Sequence, residues 1–467
     1  MTSVLLVDTN ITPFNEAFPV YPTGLDYLQG ALRERDYAEV HILDLTRTGG
    51  PLPGVLGRQR RERSFQILRD ALLARPWDII GLSLRNIDST YPVGDGDPDL
   101  HYYVPELRKM IDLVVRNARR DQTVILGGPA FSMMPEVFLE NTPENCHGVL
   151  GSGEESLCAL ADGAKQGNPL DRVVRSPRST IGKLQNRALL EAYFTRPFGG
   201  STFGIRTRVG CGQQCGYCPY PAINGTGQVF KEPDVVLEEI RLLRSAYDRK
   251  RPDQPFSFMF SDDIFNRPLE PAKAILEAMI NRKAVPDSWH AYMDPHLLDE
   301  EFLELILKTR GWSRGAVVFF PFDIESGSQK MLQKLGKPYG VEDLRRSVEV
   351  FKKVTARRKR EDEVSSNRFG FHVLLGYPGE DRETVRETCM FIRENQPDRI
   401  AFQLGVRIYP RTPLADETKG IVWKNESDLV LPVFAVLDQG EVLGWLEEWL
   451  SPDYELVSTK GNMVLFS

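Results

Sequence analysis

Arg208-Val209-Gly210-Cys211-Gly212-Gln213-Gln214-Cys215-Gly216-Tyr217-Cys218 is the stretch that decides how the rest of the chain is read. Its spacing is C-x-x-x-C-x-x-C. The chain has six cysteines, and three of them stand here within eight residues, while Cys146, Cys158 and Cys389 are scattered. In a reducing compartment a tight cluster points to metal rather than to disulfides. Three thiolates can ligate three irons of a four-iron cluster and leave one iron open. Structural zinc usually takes four ligands. No fourth Cys or His lies close by, the next histidine being His290. An open iron can chelate the amino and carboxylate groups of S-adenosylmethionine, and one electron from the cluster can then break a C–S bond of the sulfonium. The alternatives are a zinc knuckle completed by a distant ligand, or three core cysteines.

The cysteines follow an apolar stretch at 204–209 that reads as a strand. They therefore sit in a βα loop, the usual seat of chemistry in a barrel. Gly210, Gly212 and Gly216 let such a loop wrap closely around a ligand. Downstream, further strands are predicted at 256–260, 289–293, 316–320, 369–375 and 399–408, with helices between them, including 233–247 and 341–354. Six strand–helix units predict a partial barrel over 201–415, since a full eight-unit barrel needs more chain. From 416 to 467 the pattern is unclear. Leu431 to Leu437, Trp445 and Trp449 suggest a small packed C-terminal cap.

Upstream, residues 1–165 alternate apolar runs with helical patterns. Strands are predicted at 4–7, 40–45, 78–84, 123–126 and 147–150. Helices are predicted at 24–35, near 65–73 and at 103–118, where Leu107, Met110, Ile111 and Val114 share a face. Continuous apolar strands alternating with helices predict an α/β, doubly wound, Rossmann-like parallel sheet. Ligands of such sheets bind at the carboxyl ends of the strands. Those ends carry Asp8-Thr9-Asn10, Arg85-Asn86-Ile87-Asp88, Gly127-Gly128-Pro129 and Gly151-Ser152-Gly153-Glu154. Any one of these turns could be an ordinary turn. Residues 166–200, rich in Arg, Pro and Gly, read as a linker.

The chain has 467 residues, 41% hydrophobic and 26% charged, with a net charge of -7. At roughly 150 residues per domain it holds two or three domains. The mildly acidic balance argues against a nucleic-acid polyanion as the main partner. No stretch approaches the roughly 20 apolar residues of a membrane span. The N-terminal MTSVLLVDTN has no basic segment before its apolar run. The expectation is a cytoplasmic protein with no membrane span and a small-molecule substrate.

The cysteine spacing, with Tyr217 one residue before the last cysteine, resembles the radical S-adenosylmethionine (radical SAM) superfamily. The run continuing through Cys218-Pro219-Tyr220-Pro221-Ala222-Ile223-Asn224-Gly225 resembles the subgroup with an N-terminal cobalamin-binding domain. Similar to that subgroup, in order, are Tyr21-Pro22-Thr23-Gly24-Leu25, Ile80-Gly81-Leu82-Ser83, Gly127-Gly128-Pro129 and Gly151-Ser152-Gly153-Glu154-Glu155. So are Phe260-Ser261-Asp262-Asp263-Ile264-Phe265-Asn266, Ile324-Glu325-Ser326-Gly327-Ser328, Gly376-Tyr377-Pro378-Gly379-Glu380 and Val406-Arg407-Ile408-Tyr409-Pro410. The triad is highly specific; the other motifs count by their order over residues 1–415.

The resemblance implies a [4Fe–4S] cluster on Cys211, Cys215 and Cys218, with Tyr217 near the adenine of S-adenosylmethionine. Ser261 and Asp262 stand where the family handles the methionine amino group, although the family's glycine-rich form is missing. Glu325 would contact the ribose or methionine end, and Arg407 would reach the carboxylate. It further implies cobalamin on residues 1–165, contacted by Ser83, Arg85, Asn86, Gly127, Gly128, Gly153 and Glu154. The chain lacks a D-x-H-x-x-G motif, and His41, His101 and His147 read as structural, so no imidazole would bind cobalt. Arg85 would lie beneath the cobalt and disfavour a lower axial ligand.

The implied activity is methyl transfer to an unactivated carbon or to phosphorus, with flavodoxin or ferredoxin as electron donor. The alternatives are transfer of the 3-amino-3-carboxypropyl group or a rearrangement, either one with the cobalamin-type domain empty, and a non-catalytic metal-binding or regulatory protein.

Overall fold

Ser3–Asp8 (β1) is buried along its whole length, as expected of a central strand with helices on both faces of its sheet. In the computed structural model, which describes residues 2–9, 20–45, 57–88, 102–175, 180–195, 203–314, 317–360, 366–460 and 462–467, β1 pairs in parallel with Glu39–Asp44 (β2) and Ile79–Ser83 (β3). Thr123–Gly127 (β4), Cys146–Leu150 (β5) and Val173–Arg175 (β6) extend the sheet, all parallel, in the order β2-β1-β3-β4-β5-β6. Thr23–Arg33 (α1), Gly57–Leu73 (α2), Val104–Asn117 (α3) and Glu154–Gln166 (α4) are the main helices between these strands. Val4, Leu6, Leu25, Leu32, Val40, Ile125 and Leu157 form one core between the sheet and its helices. Each such side chain contributes about 1.5–3 kcal/mol by leaving water. The strand order reverses between β1 and β3, where doubly wound sheets bind their ligands. The expected doubly wound sheet is present; Asn10 and His101 lie outside the described residues.

By internal contacts the described residues up to 210, together with 222–254, make one compact unit, and 211–221 with the residues from 255 onward make another. The first unit corrects the linker expected at 166–200. β6 adds a strand to the sheet edge, and Arg187–Phe194 (α5) buries Leu189, Leu190, Tyr193 and Phe194. The cause is Asp26, fully buried, whose carboxylate accepts from the Tyr21 hydroxyl (2.8 Å) and from the backbone N–H groups of Gln185 (3.2 Å) and Asn186 (3.0 Å). Asn186 in turn caps α5 by accepting from the Leu189 N–H. In place of one strand at 204–209 there are two short ones, Gly204–Ile205 and Arg208–Val209 (β7). β7 pairs antiparallel with Val229–Phe230 (β8), and Pro233–Lys250 (α6) packs on α5.

In the second unit Ser257–Phe260 (β9) and Ser288–Ala291 (β10) pair in parallel, separated in sequence by Leu269–Asn281 (α7). Glu300–Lys308 (α8) leads to Ser313–Arg314 (β11), which pairs antiparallel with Val317–Glu325 (β12). Ala316, expected to open this strand, lies outside the described residues. β12 continues in parallel to Ser366–Leu375 (β13) and Arg399–Leu404 (β14). Val341–Arg360 (α9) and Arg382–Asn395 (α10) are the intervening helices. Burial along β12 alternates strictly. Val318, Phe320, Phe322 and Ile324 are buried, and Phe320 and Phe322 meet Phe351 of α9. The opposite set, Pro321, Asp323 and Glu325, lines a cavity. A period of two on a half-covered strand puts hydrocarbon under the helices and leaves polar groups for the interior.

The C-terminal segment is more than the expected cap. Gln439–Leu450 (α11) packs on α10. Leu456–Lys460 (β15) and Met463–Phe466 (β16) form a hairpin, and β16 pairs antiparallel with β14, extending the barrel sheet. Four residues at a chain end are too few to reveal a strand by their pattern. Among the described residues no helix is long and apolar enough to cross a membrane.

Candidate active site

The cysteine loop is clamped by its backbone. The Gly216 N–H donates to the Leu335 carbonyl (2.9 Å), and the Gly216 carbonyl accepts from the Leu414 N–H (2.9 Å). A Cβ on Gly216 would stand 2.3 Å from the Tyr377 hydroxyl, so only glycine fits. The Cys218 N–H closes a turn onto the Cys215 carbonyl at 3.0 Å. All three thiols line one cavity of about 680 Å3. Cys215 is buried, and Cys211 and Cys218 are half-buried. Burial pushes each thiol up, Cys218 to about 12, and neighbouring cysteine sulfurs add to the rise at Cys211 and Cys218. Such sulfurs stay protonated unless a metal group compensates their charge. Three thiols on one cavity fit a polynuclear iron group. Among the described residues no three Cys, His, Asp or Glu side chains converge on a single ion.

Beside them stands a charged trio. Glu325, at the end of β12, has a left-handed backbone (φ 63°), a conformation that surrounding contacts must enforce. Its Oε1 accepts from the Tyr217 hydroxyl (2.5 Å) and from Lys337 Nζ (3.0 Å), and Lys337 also donates to the Tyr217 oxygen (3.0 Å). Burial alone would push Lys337 down, but the Glu325 carboxylate outweighs it and holds the ammonium well above its usual value. Burial, then Glu325, raises the Tyr217 phenol. The buried Tyr339 hydroxyl, on the same cavity, has no hydrogen-bond partner among the described residues.

Asp294 follows β10 and is 1% exposed. It accepts from Gln213 Nε2 (2.5 Å), Arg267 Nε (2.7 Å) and His296 Nδ1 (2.5 Å). Burial would raise its carboxyl, yet His296 and Arg267 hold it below the usual range. On the same cavity, Asp323 and the solvent-exposed His372 are register partners on β12 and β13, joined at 2.6 Å. Asp323 raises the His372 imidazole against the opposing effect of burial.

Of the residues expected here, Cys211, Cys215, Cys218, Tyr217 and Glu325 come together on the cavity. Ser261 and Asp262 do not line it; their neighbour Asp263 does. Arg407 is a correction. Its guanidinium is buried and donates to the carbonyls of Ile408, Val433 (3.3 Å) and Leu429 (3.2 Å), so it fastens the 429–433 segment instead of facing the cavity. Lys337, Tyr339, Asp294, Asp323 and His372 were not anticipated. Lys337 and Tyr339 had one faint signal, a lone Lys between Gly336 and Pro338 just after a helix of the barrel.

On the N-terminal sheet Ser83, Gly127, Gly128, Gly153 and Glu154 share the carboxyl edge with Arg85 and Asn86. Much of that edge bonds to itself. Thr9 Oγ1 donates to the Ser83 carbonyl (2.7 Å), and the Gly182 N–H donates to the Glu154 carboxylate (3.3 Å). Gly128 (φ 95°) is required because a Cβ would meet the Leu84 carbonyl at 2.6 Å. The Ser152 hydroxyl, buried on this edge, has no partner among the described residues. His147 is tied to the Asp171 carbonyl (2.9 Å) and His41 packs on Trp77.

Residues 205–392 match the radical SAM superfamily. The chain is similar to the uncharacterized methyltransferase PH0819 of Pyrococcus horikoshii, with 25% identity over 68% of this chain and 69% of that protein. It is 24% identical to the tryptophan 2-C-methyltransferase of Streptomyces laurentii over 85% of this chain and 72% of that protein. In fold it resembles the radical S-adenosylmethionine methyltransferase TsrM of Kitasatospora setae, solved with tryptophan and a S-adenosylmethionine analogue (TM-score 0.67, 24% identity, covering 91% of this chain and 78% of that one). TsrM is also solved with cobalamin and a [4Fe–4S] cluster bound. The cysteine triad lies inside the matched segment and lines the cavity, so residues 205–392 carry a radical SAM domain.

Proposed function

We propose that the chain is a cobalamin-dependent radical SAM methyltransferase acting on an unactivated carbon, or on phosphorus, of a small molecule. Cys211, Cys215 and Cys218 would hold a [4Fe–4S] cluster, with S-adenosylmethionine in the cavity they line. The observation that carries this reading is three thiols on one cavity beside the part-buried Tyr217–Glu325–Lys337 trio. When bound, the cluster supplies the electron that breaks a sulfonium C–S bond, and cobalamin supplies a methyl group.

The chain's own residues orient and insulate. The Gly216 clamp holds the second and third sulfurs at a set place. Glu325 and Lys337 offer one anionic and one cationic partner to a ligand that carries both an ammonium and a carboxylate. Tyr217 offers a flat ring for the adenine. Ser261 and Asp262 keep their family assignment to the amino group, with Asp263 the neighbour on the cavity wall. Trp312, Met259 and Met463 exclude water from the interior.

Residues 1–165 would bind cobalamin through Ser83, Arg85, Asn86, Gly127, Gly128, Gly153 and Glu154. The partnerless Ser152 hydroxyl on the same edge supports a polar ligand there. Residues 201–415 would form the radical SAM barrel. The TsrM and tryptophan 2-C-methyltransferase likenesses support methylation as the outcome. A cytoplasmic location with flavodoxin or ferredoxin as reductant completes the reading.

The test is anaerobic reconstitution with iron, sulfide and cobalamin, followed by mass spectrometry of the products. S-Adenosylhomocysteine with 5′-deoxyadenosine is expected. Methylthioadenosine would point instead to aminocarboxypropyl transfer.

A further inference from the structure

Gln213 stands between the first two cysteines and bridges two different groups. Its Nε2 donates to Asp294 at 2.5 Å, and its Oε1 accepts from the Cys215 thiol at 3.3 Å. The orientation of the amide follows from chemistry. An ionised carboxylate only accepts hydrogen bonds, so the NH2 end must face Asp294. Asp294 is itself held in place: Arg267 and His296 donate to its carboxylate, and Asn266 accepts from its N–H (2.8 Å) and donates to its carbonyl (3.0 Å).

We infer that Asp294 pins Gln213 so that the Cys215 sulfur receives no hydrogen bond from it, which keeps a cluster on that sulfur at a low reduction potential. Gln213 is thus a positioning residue, and the inference rests on the cluster reading above. A cluster-bound thiolate has no proton to give, so the amide oxygen becomes a second electron-rich atom facing the sulfur. Turning the amide over would relieve this by pointing N–H at sulfur. It would also bring the amide oxygen against the Asp294 carboxylate, two acceptors face to face in a buried place. N–H···S bonds stabilise the reduced, more negative cluster and raise its potential. Withholding one keeps the electron more energetic, against the opposite pull of the Lys337 ammonium beside the Cys215 sulfur.

The test is an EPR-monitored redox titration of the full chain, reconstituted anaerobically. Gln213→Leu should keep a midpoint close to the wild type, because leucine donates nothing. Asp294→Asn should shift the midpoint to less negative values, because an asparagine lets Gln213 turn. The double variant should return to the Gln213→Leu value. An unshifted Asp294→Asn, or a double variant shifted as far as Asp294→Asn, overturns the inference. Should Asp294→Asn take up no iron, pulsed EPR of the wild type labelled with 15N in its glutamine side chains decides. No coupled nitrogen assignable to Gln213 is expected, and one that vanishes in Gln213→Leu overturns the inference. A wild type that takes up no iron refutes the cluster reading itself.

Discussion

The carboxyl edge of the N-terminal sheet and the cavity of the second unit are prepared for ligands in opposite ways. The edge is built from backbone and small side chains that bond to one another, as Thr9 does to Ser83 and Ser132 to Gly151. The cavity is built from charged side chains that already hold partners, as Lys337 holds Glu325 and Tyr217. A sheet edge of this kind recognises a ligand by close approach, and a lined cavity recognises one by charge. Substitutions should therefore act through space on the edge and through unpaired charge or lost donors in the cavity.

The largest effect is expected at a sulfur. Cys215→Ala should reduce bound iron to background and abolish S-adenosylmethionine cleavage while the circular dichroism spectrum is retained. Iron retained at the wild-type level would remove Cys215 from the ligand set. Next, Lys337→Met should cost on the order of 3 kcal/mol, since it leaves the part-buried Glu325 without its cation. Lys337→Met with Glu325→Gln should recover part of that loss in urea denaturation. Full additivity of the two changes would break the contrast drawn above.

Glu380 sharpens the same point within the second unit. Its Oε2 accepts from the Gly376 N–H (2.5 Å), its Oε1 is buried without a partner among the described residues, and burial pushes its carboxyl up to about 7. A carboxyl raised on folding binds its proton more tightly when folded, so stability falls as pH rises from the unfolded value through the folded one. On this account stability should decline by roughly 3 kcal/mol between about pH 4.5 and 7 from this group alone. Glu380→Gln should remove that component, as denaturation midpoints at pH 5 and 8 will show.

On the N-terminal edge, Gly128→Ala should destabilise by about 1–3 kcal/mol, because the Cβ collides with Leu84 at a left-handed position. Gly127→Ala, whose Cβ would meet Val149 at an ordinary 3.7 Å, should stay within about 0.5 kcal/mol. Equal effects would mean that close packing is not what shapes this edge. The smallest effect is a titration. Asp323 raises His372, so the stability the pair adds is present at low pH and is lost as pH rises through the raised value. Asp323→Asn should move the His372 NMR titration midpoint downward.

What could be read in advance divides along physical lines. Strands buried in the sheet announce themselves as apolar runs, and β1 to β5 fall within a residue or two of where their pattern puts them, whereas the short, exposed β6 gave no such run. The three sulfurs are legible because they stand within eight residues of one another. Lys337 and Asp294 are not, because their partners lie 12 and 81 residues away. The helix at 187–194 hid for the same reason, its anchor Asp26 being 160 residues distant. Arg407 shows the converse error. A motif supplied its role, but the carbonyls of 429–433 had first claim on a buried guanidinium.

The central claim is that Cys211, Cys215 and Cys218 hold three irons of a cluster whose remaining iron takes S-adenosylmethionine. Mössbauer spectroscopy of the chain reconstituted with 57Fe tests it most directly. The account predicts a [4Fe–4S] spectrum in which adding S-adenosylmethionine perturbs a single iron subsite. A chain that binds zinc in place of iron, or a cluster whose irons are all indifferent to S-adenosylmethionine, would contradict it.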